Sequence, residues 1–119
     1  MIGTADPIIE KMRAYNGALD PGRLARAFEF GKVAHDGQTR ASGEPYFTHP
    51  VAVANILADM RLDEDSIITA LLHDTVEDCD VTLKTLQIEF GGDVSQLVDG
   101  VTKLSRLATV SYTHLRAHE

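Results

Sequence analysis

The sequence predicts an all-α fold of about six helices with no significant sheet. Three observations predict it. Apolar residues return at intervals of three and four rather than alternating. Helix-opening signals recur along the chain, at Asp6-Pro7, Asp20-Pro21, Thr48, Asp63 to Ser66, Thr82 and Asp93. No convincing stretch of period two appears before residue 108.

Each element has its own justification. Asp6-Pro7 pairs an N-cap with a proline in the first turn and opens a helix to about Tyr15, which Asn16-Gly17 breaks. Asp20-Pro21 repeats the signal; Leu24, Ala27, Phe28, Gly31 and Ala34 then share one face, and the helix ends near His35. Residues 36–45, DGQTRASGEP, are polar and carry two glycines and a closing proline, a long loop of the functional kind. Thr48 is expected to cap a third helix with Val53, Ile56, Leu57 and Met60 inward. Asp63-Glu64-Asp65-Ser66 sets negative charge at the positive end of a fourth. Thr82 caps a fifth, with Leu83, Leu86 and Phe90 inward and Gly91-Gly92 as its stop. Asp93 is expected to cap a sixth, whose stripe is Val94, Leu97, Val98, Val101, Leu104 and Leu107. Residues 109–119, TVSYTHLRAHE, keep no sustained period and have neither cap nor breaker. They read as a non-native tail on a domain spanning 1–108, the alternative being a frayed natural terminus.

A chain of 119 residues is one domain at most. No apolar run approaches the ~20 residues of a membrane span, and no signal peptide opens the chain. The single cysteine, Cys79, permits no intrachain disulfide and suits a reducing cytoplasm. Net charge is −7, and residues 41–99 hold twelve Asp/Glu against two Lys/Arg. That balance argues against wrapping nucleic acid, which needs basic patches, but leaves room for one small anion held by metal and a few placed cations.

The chemistry concentrates in ALLHDTVED, residues 70–78. On a helix His73 stacks with Glu77 and Asp74 with Asp78, so one imidazole and three carboxylates crowd about one turn. Carboxylates that close repel unless a cation holds them, and His-Asp supplies ligands that suit a divalent ion. Glu77-Asp78 reads either as a pair that takes a proton from an attacking water or as a solvated helix end, the latter opposed by the helix dipole. His49, alone at a helix start, is either a ligand or a structural histidine. Arg40 and Ser42 could meet a base and a phosphate, or form an exposed loop without partner. Cys79 reads as a small half-buried side chain, and His35 has no assigned role.

These pieces in this order resemble the hydrolase domain of the RelA/SpoT homologue family, a branch of the HD-domain metal phosphohydrolases. The resemblance rests on AFEFGKVAHDGQTRASGEPYFTHPVAVANILADMRLD, ITALLHDTVED and FGGDVSQLVDGVTKLSRL, roughly residues 24–107. It implies a truncated HD-type helical bundle in which His49, His73 and Asp74 bind Mn²⁺ and Glu77 and Asp78 activate the attacking water. It further implies that Arg40 packs on guanine, that Ser42 contacts the nucleotide, and that Tyr46 shapes the pocket. The implied reaction is hydrolysis of guanosine tetra- or pentaphosphate at the 3′ position to GDP or GTP and pyrophosphate, in the stringent response. The implied whole is a longer, bifunctional protein with downstream synthetase and regulatory domains; its assembly into homo-oligomers is left open. Two departures stand out. The family's fourth ligand, an aspartate in a phrase resembling ADRLHN, has no match here, and position 41 is alanine where relatives often carry a basic residue. The 119-residue piece is therefore expected to bind metal weakly and turn over little. The competing readings are a nucleotide-sensing HD-like module without turnover and an HD phosphohydrolase of another nucleotide.

Overall fold

A computed structural model describes the backbone of residues 3–117 and the side chains through Leu104. It contains six helices: α1 (Asp6–Arg13), α2 (Pro21–Ala34), α3 (Thr48–Asp59), α4 (Glu64–Asp78), α5 (Leu83–Phe90) and α6 (Gly92–Ala117). Among the described residues the only β pairing is an isolated bridge between Thr39 and Pro45, inside the loop that joins α2 to α3. The all-α expectation holds.

Helix α4 is the axis of the bundle. Ile67, Ile68, Leu71 and Leu72 are fully buried, because α2, α3 and α6 all pack on it. The capping chemistry read from sequence is present where a short polar side chain precedes a clean start. Asp20 Oδ1 accepts from the Arg23 amide at 3.1 Å, and the Thr82 hydroxyl accepts from the Thr85 amide at 3.2 Å. Gly91, at φ 97°, stops α5 in a conformation that favours glycine.

Several expectations are corrected. Ala5 holds the N-cap of α1, so Asp6 lies in the first turn instead of capping it. Phe47 precedes α3; the Thr48 hydroxyl donates backward to the Pro45 carbonyl at 2.8 Å and caps nothing. Helix α6 begins at Gly92, one residue before Asp93. The inner face of α3 is Pro50, Ala54 and Ala58, whereas Ile56 and Met60 are exposed. Small residues win there because α3 is pressed between α1 and α4, which leaves no depth for long side chains.

The expected α6 stripe divides in two. Val94 and Val98 are buried against α4 and α5, while Leu97 and Val101 turn aside. With Val53, Leu57 and Ala70 they line an apolar groove of about 280 Å³ that reaches His73. Leu107 and the tail's side chains lie outside the described residues, although the α6 backbone is helical to Ala117. No helix among the described residues is long and apolar enough to cross a membrane.

Candidate active site

The last two turns of α4 carry His73, Asp74, Glu77 and Asp78, and the sequence explains their unequal burial. The apolar run before them faces the bundle on every side, so the helix emerges into solvent only as it ends. Asp74 is 7% exposed, His73 is half-buried, and Glu77 and Asp78 are exposed.

His73 and Asp74 touch. The His73 Nε2 atom lies 3.0 Å from Asp74 Oδ1, and the ring's other nitrogen, Nδ1, lies 3.2 Å from the Ala70 carbonyl. A carbonyl only accepts, so Nδ1 carries a proton, and Nε2 is the atom turned toward Asp74. The bond to Asp74 raises the His73 pKa above its ordinary value, with Glu77 adding to the effect and burial opposing it. For Asp74, burial pushes the pKa upward. The His73 bond and charge, with the Tyr46 hydroxyl, outweigh it and hold the carboxyl below its ordinary value.

Tyr46 enters this cluster more directly than sequence suggested. Its hydroxyl donates to Asp74 Oδ2 at 3.1 Å, so both oxygens of that buried carboxylate are engaged. Burial, then the charges of Asp74 and Asp78, push the Tyr46 pKa well above the usual tyrosine range. The phenol stays protonated and acts as a fixed donor. Only the tertiary fold brings residues 46 and 74 together, and no local pattern in the sequence announces it.

His49 is in the first turn of α3, its amide bonded to the Tyr46 carbonyl at 3.1 Å and its side chain exposed. Among the described residues no three His, Cys, Asp or Glu side chains converge closely enough to hold a metal ion. Two of the three expected ligands, His73 and Asp74, thus stand together, and His49 does not complete a group of three. The donor chemistry of the pair still fits a divalent ion. An imidazole tethered through Nδ1 to a backbone carbonyl presents Nε2 as metal-binding histidines do. The 3.0 Å contact to Asp74 is a hydrogen bond through Nε2–H, so an ion held by this pair would take the place of that proton.

Arg40 and Ser42 are exposed on the loop. The loop itself is tightly built: the Arg40 amide bonds the Glu44 carbonyl and the Gly43 amide bonds the Arg40 carbonyl, each at 2.8 Å. Gly43, at φ 89°, makes that reversal with a conformation other residues adopt only with strain. Neither Arg40 nor Ser42 touches the His73–Asp74 pair.

Two further residues escaped sequence reading. His35 is 2% exposed and stacks near Tyr46 and Phe47, with ring centroids 5.0 and 6.0 Å away. Gln38 spans from His35 to the end of α4. A histidine closing an apolar helix face hinted at the first; the second lies within the stretch that carries the family resemblance, where it was given no role.

A family profile described as "HD domain" matches residues 27–119. The chain belongs to the HD domain family. The chain is 57% identical over 84 residues to the guanosine-3′,5′-bis(diphosphate) 3′-pyrophosphohydrolase of Vibrio cholerae, covering 71% of this chain and 12% of that protein. It is 53% identical over 85 residues to the bifunctional (p)ppGpp synthase/hydrolase SpoT of Escherichia coli, with shares of 71% and 12%. Against the probable GTP pyrophosphokinase of Mycobacterium leprae it is 48% identical over 108 residues, with shares of 87% and 14%. The chain therefore spans about an eighth of the length of these curated relatives.

Proposed function

We propose that this HD domain is the metal-bearing part of a hydrolase that converts guanosine tetra- or pentaphosphate to GDP or GTP and pyrophosphate. The observation that carries the reading is the His73–Asp74 pair at 3.0 Å, clamped by Tyr46, in a chain 57% identical over 84 residues to a pyrophosphohydrolase of that substrate. His73 and Asp74 would hold the ion, which we take to be Mn²⁺; His49, exposed and apart from them in this structure, would join them as third ligand only by shifting. When bound, the ion neutralises phosphate charge and makes water a stronger nucleophile, which lets an acidic domain receive a polyanion.

The chain's own residues supply the rest. Tyr46 donates to Asp74 Oδ2 and fixes that carboxylate's orientation. Glu77 and Asp78, exposed at the end of α4, accept the proton of the water that attacks the 3′-linked phosphorus. The bond from that phosphorus to the ribose 3′ oxygen breaks, the 3′ oxygen takes up a proton, and pyrophosphate departs with the water's oxygen. Arg40 offers a planar guanidinium to the guanine base, and Ser42 a hydroxyl to the nucleotide. We assign residues 1–108 to the N-terminal part of this domain and read residues 109–119 as a non-native tail, although the HD-domain match extends across them. We place the reaction in the cytoplasm, in a longer protein with synthetase and regulatory domains downstream.

The test is pyrophosphate release from guanosine tetraphosphate, with Mn²⁺, in a protein extended downstream by ~80 residues to domain size. His73→Ala and Glu77→Gln should each abolish most of it. Release indifferent to both substitutions would overturn the site, and equal release from other nucleotides would overturn the substrate. Binding without release in the unsubstituted protein would favour a sensing module.

A further inference from the structure

Gln38 is wired into the structure at both ends. Its backbone carbonyl accepts from the Tyr46 amide at 2.9 Å, and its own amide donates to the His35 carbonyl at 3.0 Å. Its side-chain nitrogen donates to the Asp78 carbonyl at 3.1 Å and reaches Cys79 Sγ at 3.6 Å. A carbonyl can only accept, so the Gln38 amide is oriented without ambiguity: Nε2 faces Asp78, and Oε1 faces His35 Nδ1 at 2.9 Å. The buried His35 ring therefore donates from Nδ1 and holds the amide in place.

The Asp78 carbonyl belongs to the last turn of α4, where helix carbonyls lack partners in the next turn. Beyond it the chain turns extended at Cys79 (ψ 162°). Gln38 thus closes the end of α4 from a different segment, at the residue pair that the hydrolase reading makes the proton acceptor. Two residues further along the same loop stands Arg40. One side chain joins the Arg40–Ser42 loop to the acidic helix end.

We propose that Gln38 is a positioning residue: held by His35, it pins the Arg40–Ser42 loop to the carbonyl of Asp78 and so fixes Glu77 and Asp78 relative to the bound nucleotide. This rests on the hydrolase reading above for its kinetic consequence, but not for the pinning itself.

Two substitutions of matching length test it. Gln38→Met removes both polar ends; Gln38→Glu keeps an acceptor for His35 and loses the donor to Asp78. Trypsin cleavage after Arg40, against cleavage after the exposed Lys103 as an internal control, reads the pinning in the chain as it stands. Both variants should be cut after Arg40 at least ~5-fold faster, as a released loop opens locally. In the full-length protein, well below the melting temperature of each variant, kcat should fall about 10-fold while the Mn²⁺ concentration for half-maximal rate stays within twofold. Unchanged cleavage overturns the pinning. Faster cleavage with unchanged kcat overturns the positioning role, because a purely structural contact loses folded protein and not turnover per folded molecule. Absence of hydrolysis in the unsubstituted protein overturns the hydrolase reading instead, and the cleavage rates still decide whether Gln38 holds the loop.

Discussion

Gly31 shows how closely the site's supports are packed. A Cβ added there would meet two ring carbons of Phe47 at 2.5 and 2.9 Å and the Leu71 carbonyl at 3.0 Å. Phe47 cannot retreat: it is 1% exposed, with Phe28 edge-on at a centroid distance of 5.2 Å and His35 stacked at 6.0 Å. Gly31→Ala gains about 1 kcal/mol in helix propensity but incurs an overpacking cost of about 1–3 kcal/mol. We expect a net loss in urea unfolding, with Tyr46, the next residue to Phe47, displaced from Asp74. A second residue-scale effect is set by pH. Tyr15 donates to the Leu62 carbonyl at 2.6 Å, and burial, then the charge of Asp63, raise its pKa above the ordinary tyrosine value. The folded state holds that proton more tightly than the unfolded one, so the contribution is complete below about pH 10. It is lost as pH rises through the folded value. Melting temperature should fall in that alkaline range, and Tyr15→Phe should flatten that part of the fall.

Among the elements, α2, α4 and α5 are tied by one guanidinium. Arg23 reaches Glu64 Oε2 at 2.6 Å, Asp65 Oδ1 at 2.8 Å and the Phe90 carbonyl at 2.7 Å, so it joins the start of α2 and the start of α4 to the end of α5. Because these groups keep some contact with water, Arg23→Met should cost about 1–3 kcal/mol in urea unfolding, from the two carboxylates left without their cation. Elements were legible wherever the signal is local. Asp20, Thr82 and Gly91 announce their helix ends through chemistry confined to one turn. The α3 face was misread because its burial depends on how close α1 and α4 stand, which Ile56 and Met60 do not record. His73 and Asp74 were readable as neighbours in sequence and on one helix. The Tyr46 bond, the Arg23 junction and the Gln38 clamp were not, because each spans 28 or more residues that only folding brings together.

For the whole molecule, the decisive quantity is how its acidic balance responds to a divalent cation. The chain carries a net charge of −7, and the end of α4 carries Asp74, Glu77 and Asp78 with no basic residue in that last turn. A cation bound to His73 and Asp74 in the folded state, and to neither in the unfolded chain, adds RT ln(1 + [M]/Kd) to stability. At ten times Kd this is about 1.4 kcal/mol, which for a domain of this size moves the melting temperature by roughly 4–6 °C. Mn²⁺ titrated into metal-free protein should produce such a rise, saturating with concentration and reversed by a chelator. His73→Ala should abolish the rise, because it removes the imidazole ligand while Glu77 and Asp78 keep their charge. General screening of negative charge would act equally on both proteins and would be reproduced by raising the concentration of a monovalent salt. A rise of the same size in His73→Ala would therefore mean that the ion sits elsewhere, and the α4 doublet would lose its place at the centre of the chemistry.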